Sequence, residues 1–176
     1  MATERDRTLE ALQTAIQMEI DGKEYYRKVS QSSNNQLGRG LFQTLAAEED
    51  IHRQKFEEIY EVLRSKKAWP RVDFQPDWGK RLMTIFAKAI EEMGSNVKAP
   101  VTEIDAIQTA MDMENKTYDF YGSQGKDATY GAERDYYQVL AAEERGHYLI
   151  LLDYREYLSD PAGWFVKQEH PSLDGG

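Results

Sequence analysis

Displaced by 95 residues, the first half of this chain falls on its second half, and that internal repeat limits what it can fold into more than any other feature. Ala11-Leu12-Gln13-Thr14-Ala15 falls on Ala106-Ile107-Gln108-Thr109-Ala110, Met18-Glu19 on Met113-Glu114, and Tyr26 on Tyr121. Leu45-Ala46-Ala47-Glu48-Glu49 recurs unchanged as Leu140-Ala141-Ala142-Glu143-Glu144, with His52 on His147. Two copies of one unit that must bury their apolar faces on each other predict a structure with approximate two-fold symmetry. Whatever each copy contributes then meets its twin near the axis.

The apolar residues inside each unit recur at helical spacing. Residues 7–32 align Leu9, Leu12, Ile16 and Tyr26, and residues 37–66 align Phe42, Leu45, Phe56, Ile59 and Leu63. In the second unit, 102–125 align Ile104, Ile107, Met111, Tyr118 and Tyr121, and 129–159 align Tyr137, Leu140, Leu151, Tyr154 and Leu158. Short turns around Ser32-Ser33-Asn34-Asn35 and Gly125-Lys126-Asp127-Ala128 make each pair an antiparallel helical hairpin. The stretch 67–101 carries Pro70, Pro76 and Pro100 and a further amphipathic helix over 78–93, with Leu82, Ile85, Phe86, Ala89 and Met93 on one face and Gly94 as its stop. The expectation is therefore one all-α domain over 1–176: a four-helix bundle of hairpins 7–66 and 102–159, a long, partly helical crossover 67–101, and an irregular tail 160–176 pinned by Trp164 and Phe165.

Composition removes several functions. With 22 basic and 31 acidic residues, the net charge of −9 opposes binding to a phosphate backbone. The chain has no cysteine, which excludes a disulfide scaffold, a thiolate nucleophile, an iron–sulfur cluster and a Cys-ligated zinc or rubredoxin-type iron. The N-terminal MATERDRTLE lacks the apolar core of a signal peptide, and no apolar run reaches bilayer-spanning length, so a cytoplasmic protein without membrane contact is expected. Gly38-Arg39-Gly40 does not continue as a dinucleotide fingerprint, and Gly122-Ser123-Gln124-Gly125 lacks nucleophile-elbow spacing.

Four carboxylates and two imidazoles stand where core residues belong. Glu19 lies between Ile16 and Tyr26 on the first stripe, and Glu49 and His52, three apart on one face, lie between Leu45 and Phe56 on the second. Glu114, Glu144 and His147 hold the matching places in the second unit. Each Glu lies about 20 Å from its interhelical turn at the rise of an α-helix, so all six residues are expected in one layer across the bundle. Buried carboxylates are costly unless paired or coordinated, and four converging ones repel. Two divalent cations balance the charge of four carboxylates, and oxygen-rich coordination supplemented by imidazole suits iron or manganese. Glu48 and Glu143 fall off the stripes and are expected on the surface, and His170 is expected to be an ordinary exposed histidine. Tyr26 and Tyr121, two turns beyond Glu19 and Glu114, read either as core aromatics or as hydrogen-bond donors to a metal-binding carboxylate of the other half.

These motifs, Met18-Glu19 with Tyr26, Leu45-Ala46-Ala47-Glu48-Glu49-Asp50-Ile51-His52, Met113-Glu114 with Tyr121, and Leu140-Ala141-Ala142-Glu143-Glu144-Arg145-Gly146-His147, resemble the rubrerythrin branch of the ferritin-like superfamily. The resemblance extends over nearly the whole chain, its tail to Gly176 included. It implies a ferritin-like bundle with two irons per chain that react with hydrogen peroxide or dioxygen, commonly in a homodimer. It further implies Glu19 and Glu114 as terminal ligands, Glu49 and Glu144 as bridges, and one histidine, His52 or His147, on each metal. Two departures stand out. The missing cysteines leave no rubredoxin iron, so an external electron-donor protein is expected. The extra glutamate that rubrerythrins carry one turn after the third-helix ligand is Thr117 here, with Gly22 as its repeat mate. Three functions remain open on the sequence: a peroxide- or dioxygen-reducing redox enzyme, a ferritin-like protein that oxidises or holds Fe²⁺ itself, and a metal-free helical interaction module.

Overall fold

The structure, a computed structural model, describes residues 3–66, 68–77 and 79–169. Six helices account for the regular structure of these residues: α1 Glu4–Ser32, α2 Gln36–Lys66, α3 Lys80–Met93, α4 Val101–Asp127, α5 Gly131–Ser159 and α6 Pro161–Glu169. None of them is long and apolar enough to cross a membrane. The chain is a ferritin-like helical bundle, with α1 packed along α2, α4 along α5, and α1 meeting α4 between the hairpins.

Local signals set where the helices begin. Thr3 caps α1 reciprocally, its hydroxyl accepting from Asp6 N while the Asp6 carboxylate accepts from Thr3 N at 2.9 Å, which starts the helix at Glu4, three residues before the expected start at residue 7. Asn35 Oδ1 accepts from Gly38 N at 2.7 Å at the head of α2, and Glu133 turns back to accept from Thr129 N and Tyr130 N at the head of α5. Gly79 enters α3 at φ 70°, a left-handed conformation that favours glycine, and there its backbone passes close to Gly146 of α5. Helix α3 thus lies over α2 and α5, outside the four long helices.

Residues 160–169, expected as part of an irregular tail, are instead regular. Asp160 Oδ1 accepts from Gly163 N at 3.0 Å, Pro161 occupies the first helical position, and α6 follows. Its Trp164 and Phe165 pack edge-on against Tyr157, and Trp164 also against Phe86 of α3, so the expected pinning of the tail holds with a helix as its carrier. His170 and the residues after it lie outside the described residues.

The buried apolar residues form two clusters. One contains Tyr26, Phe42, Leu45, Ile107, Met111, Leu151 and the α3 residues Leu82 and Phe86. The other contains Leu12, Phe56, Ile59, Trp69, Tyr121, Tyr137 and Leu140. A polar layer divides them along the bundle.

Candidate metal centre

That layer is built from the six residues the repeat singles out. Glu19, Glu49, His52, Glu114, Glu144 and His147 are all buried. Their side-chain atoms form two overlapping groups, each compact enough for one metal ion: Glu19, Glu49, His52 and Glu144 in one, and Glu49, Glu114, Glu144 and His147 in the other. Glu49 and Glu144 belong to both, Glu19 and Glu114 to one each, and each group has one imidazole. His52 Nδ1 lies 3.4 Å from Glu144 Oε1 and 3.5 Å from Glu19 Oε2. His147 Nδ1 lies 3.3 Å from Glu49 Oε1, 3.6 Å from Glu114 Oε2 and 3.7 Å from Glu144 Oε2. The two rings stack at 5.9 Å and 15°.

The tyrosines cross between the hairpins. Tyr26 of α1 donates to Glu114 Oε1 on α4, and Tyr121 of α4 donates to Glu19 Oε1 on α1. Burial and the surrounding carboxylates push both phenols well above their ordinary value, so they remain donors. Each ring is part of the core and each hydroxyl also donates to a carboxylate of the other hairpin.

With one oxygen of Glu19 and one of Glu114 taken by a tyrosine, the other remains. Glu19 Oε2, Glu49 Oε1, His52 Nδ1, Glu114 Oε2, Glu144 Oε1 and His147 Nδ1 are buried without a hydrogen-bond partner, one atom from each of the six residues. Buried polar atoms are nearly always satisfied, and six orphans converging on one layer fit a set of metal ligands. Four carboxylates and two imidazoles suit a hard or borderline divalent cation, and the set has no thiolate to select a softer one.

The electrostatics agree. Burial, reinforced by the charge of Glu19, pushes the Glu49 carboxyl well above its ordinary range, and burial with the charge of Glu144 pushes Glu114 up to about 8. Burial alone would lower both imidazoles, but the carboxylates facing them, Glu19 first for His52 and Glu114 first for His147, hold both well above 6.5. Burial and the charge of Glu49 act upward on Glu144, yet its contacts with His147 and His52 hold it below 4.5. The layer demands positive charge, from protons or from cations.

Two expectations need correction. Glu48, expected on the surface, is 6 % exposed and accepts a hydrogen bond from His147 Nε2 at 2.8 Å. Glu143, also expected on the surface, is 2 % exposed. An α2 or α5 buried on one face would leave both in solvent, but α3 and the segment before it cover a second face of these helices. The signal available was the amphipathic stripe of 78–93, which has to lie on something.

Thr117 takes no place among the orphans. Its hydroxyl donates to Met113 O at 3.1 Å, one turn back along α4. With Gly22, Tyr26, Glu49 and Glu114 it borders a void of about 10 Å³, about the room one water needs.

A family model described as Rubrerythrin matches residues 10–154. The match ends before α6, so the C-terminal tail lies outside it. No curated protein and no solved structure matches the chain.

Proposed function

The chain belongs to the rubrerythrin family, and from that premise we propose that it is a di-iron redox protein that reduces hydrogen peroxide or dioxygen with electrons delivered from outside these 176 residues. The observation that carries the reading is the set of six orphaned ligand atoms, one from each of Glu19, Glu49, His52, Glu114, Glu144 and His147. With a pair of Fe²⁺ ions held by these residues, the site would have the electron pair that, with two protons, converts one hydrogen peroxide to two waters. In this reading Glu49 and Glu144 are shared between two metal positions, with Glu19 and His52 completing one and Glu114 and His147 the other. Tyr26 and Tyr121 hold a proton against Glu114 Oε1 and Glu19 Oε1, which orients both carboxylates. The void between Gly22 and Thr117 gives a small molecule room beside Glu49 and Glu114.

Thr117 favours a second reading. A neutral hydroxyl bonded to its own helix leaves four Glu and two His, a set equally suited to oxidising Fe²⁺ as substrate. Anaerobic loading with Fe²⁺, metal analysis, and then peroxide with and without an excess of a small-molecule reductant separates the two. Two irons per chain and many peroxides consumed per chain support the redox enzyme. One burst of oxidation followed by release or accumulation of Fe³⁺ supports the iron handler, and no stoichiometric metal leaves the helical interaction module. Glu49→Ala and Glu144→Ala should each abolish the pair of metals, and a Glu49/Glu144 double variant that still loads two would sink the ligand assignment.

A further inference from the structure

Glu48 and Glu143 are repeat mates, and like the six residues of the layer they meet across the bundle, but on its crossover side. Both are buried, and with His147 they form a third compact group, one ligand atom from each lying within 4.8 Å of the others. Glu48 Oε2 accepts from His147 Nε2 at 2.8 Å, while Glu48 Oε1 is buried without a hydrogen-bond partner. The two carboxylates line a pocket of about 300 Å³ under the segment before α3, which runs from the exposed Ile51, Gln75 and Arg81 to the buried Glu48, His52 and Glu143. The void beside Thr117 has room for about one water, whereas this pocket has room for an ion with its hydration shell. Two buried carboxylates this close repel, and four more stand just beyond them, so the floor of the pocket favours a cation. One ring separates it from the layer: His147 turns Nε2 to Glu48 and Nδ1 to Glu49, Glu114 and Glu144.

We propose that Glu48 and Glu143 hold a third divalent cation at the floor of this pocket, weakly and with most of its water, and that Fe²⁺ bound for the layer passes through this site. The proposal rests on the two-metal reading above. The ligands are Glu48 Oε1 and the Glu143 carboxylate. The bond between Glu48 Oε2 and His147 Nε2 stays in place, so the imidazole keeps its orientation towards the layer. A hard cation held by one or two carboxylates keeps several of its waters. A cleft lined by one sign of charge raises the rate at which the opposite charge arrives by about 10- to 1,000-fold, and salt suppresses the gain.

Anaerobic titration with Mn²⁺ tests the count, with the free ion followed by electron paramagnetic resonance and the bound, hydrated ion by water-proton relaxation. The wild type should bind two ions and then a weaker third that enhances relaxation. Glu48→Gln and Glu143→Gln should each lose the third ion and still bind two. Fe²⁺ uptake at low salt, followed by stopped flow, should slow about tenfold or more in both variants and lose most of its salt dependence. Only two Mn²⁺ on the wild type, a third ion that survives both substitutions, or uptake at wild-type speed in both variants would each overturn the proposal while leaving the layer standing. Fewer than two Mn²⁺ per wild-type chain would defeat the two-metal reading itself. Should either variant lose its helical circular dichroism, the wild type decides: with its layer first filled by Zn²⁺, one further Mn²⁺ should broaden the amide signals of Gln75 and Asp77 more than that of Gly131. Equal broadening of all three would overturn the site.

Discussion

A hydrogen bond to a buried carboxylate does most when the accepting oxygen has no other donor, as with Glu19 Oε1 and Tyr121. Removing the hydroxyl leaves Glu19 Oε1 buried and unpaired, so Tyr121→Phe should cost the metal-free protein about 1–3 kcal/mol by denaturant unfolding. Unchanged stability would mean that the crossed tyrosines are packing alone. Thr117 offers the opposite experiment. Thr117→Glu sets a fifth carboxylate beside Glu49 and Glu114 where the void holds about one water. The metal-free form should lose about 1–3 kcal/mol to crowding, and the gap in melting temperature between loaded and metal-free protein should widen as the added ligand binds. A narrower gap would show that position 117 does not reach the metals. The six residues of the buried layer were legible at this scale because the repeat printed each motif twice at one register. Glu48 was not, because its partner lies 99 positions away on another helix and no spacing rule connects them.

The helices carry their own punctuation, and glycine marks where two of them press hardest. A Cβ on Gly38 would run into Ser33 Oγ, Glu103 Oε1 and Tyr154 OH. Those groups already form one network, with Ser33 and Tyr154 donating to Glu103 Oε1 at 2.6 and 2.7 Å and Asn35 Nδ2 at 3.0 Å, tying the α1–α2 turn to α4 and α5. Gly38→Ala should therefore cost about 1–3 kcal/mol in chemical denaturation. Gly22→Ala is the contrast: its Cβ would meet Glu49 Cγ at 3.5 Å, ordinary contact, so the usual helical preference for alanine should raise stability by about 0.5–1 kcal/mol. Equal shifts in the two variants would mean that the helices do not press more closely at Gly38 than at Gly22. Periodicity found the long helices and α3, since an apolar stripe sustained at a spacing of three and four residues suits a helix and fits neither strand nor loop. It missed α6, whose apolar residues are too few to show a period, although Asp160-Pro161 is a start signal in its own right.

At the scale of the whole molecule, one polar layer sits between two apolar clusters, and its carboxylates call for balancing positive charge. The repeat made the bundle and the layer readable, but it could not show that a single crossover breaks the symmetry, since residues 67–101 have no second copy. The balance of charge gives the molecule a signed pH dependence when metal is removed. Glu49 and Glu114 are raised above 4.5, Glu114 to about 8, so the stability they contribute is complete below 4.5 and is lost as pH rises through their folded values. His52 and His147 are raised above 6.5, and their contribution is likewise complete below 6.5 and lost on the alkaline side. Glu144 and Asp50 act in the opposite sense, Asp50 held at about 2 by its hydrogen bonds with Lys23 and Arg53, but both are depressed, so their contribution disappears only in acid below their ordinary values. Between about pH 5 and pH 8 the raised groups decide the sign, and the metal-free protein should melt at progressively lower temperature as pH rises. The metal-loaded protein should show the reverse trend, because binding requires the ligands to shed protons and so tightens with pH. The measurement is a pair of thermal melts, with and without metal, at a series of pH values across that interval. A metal-free melting temperature that climbs from pH 5 to pH 8, in step with the loaded form, would show that the four carboxylates do not face one another across a buried layer.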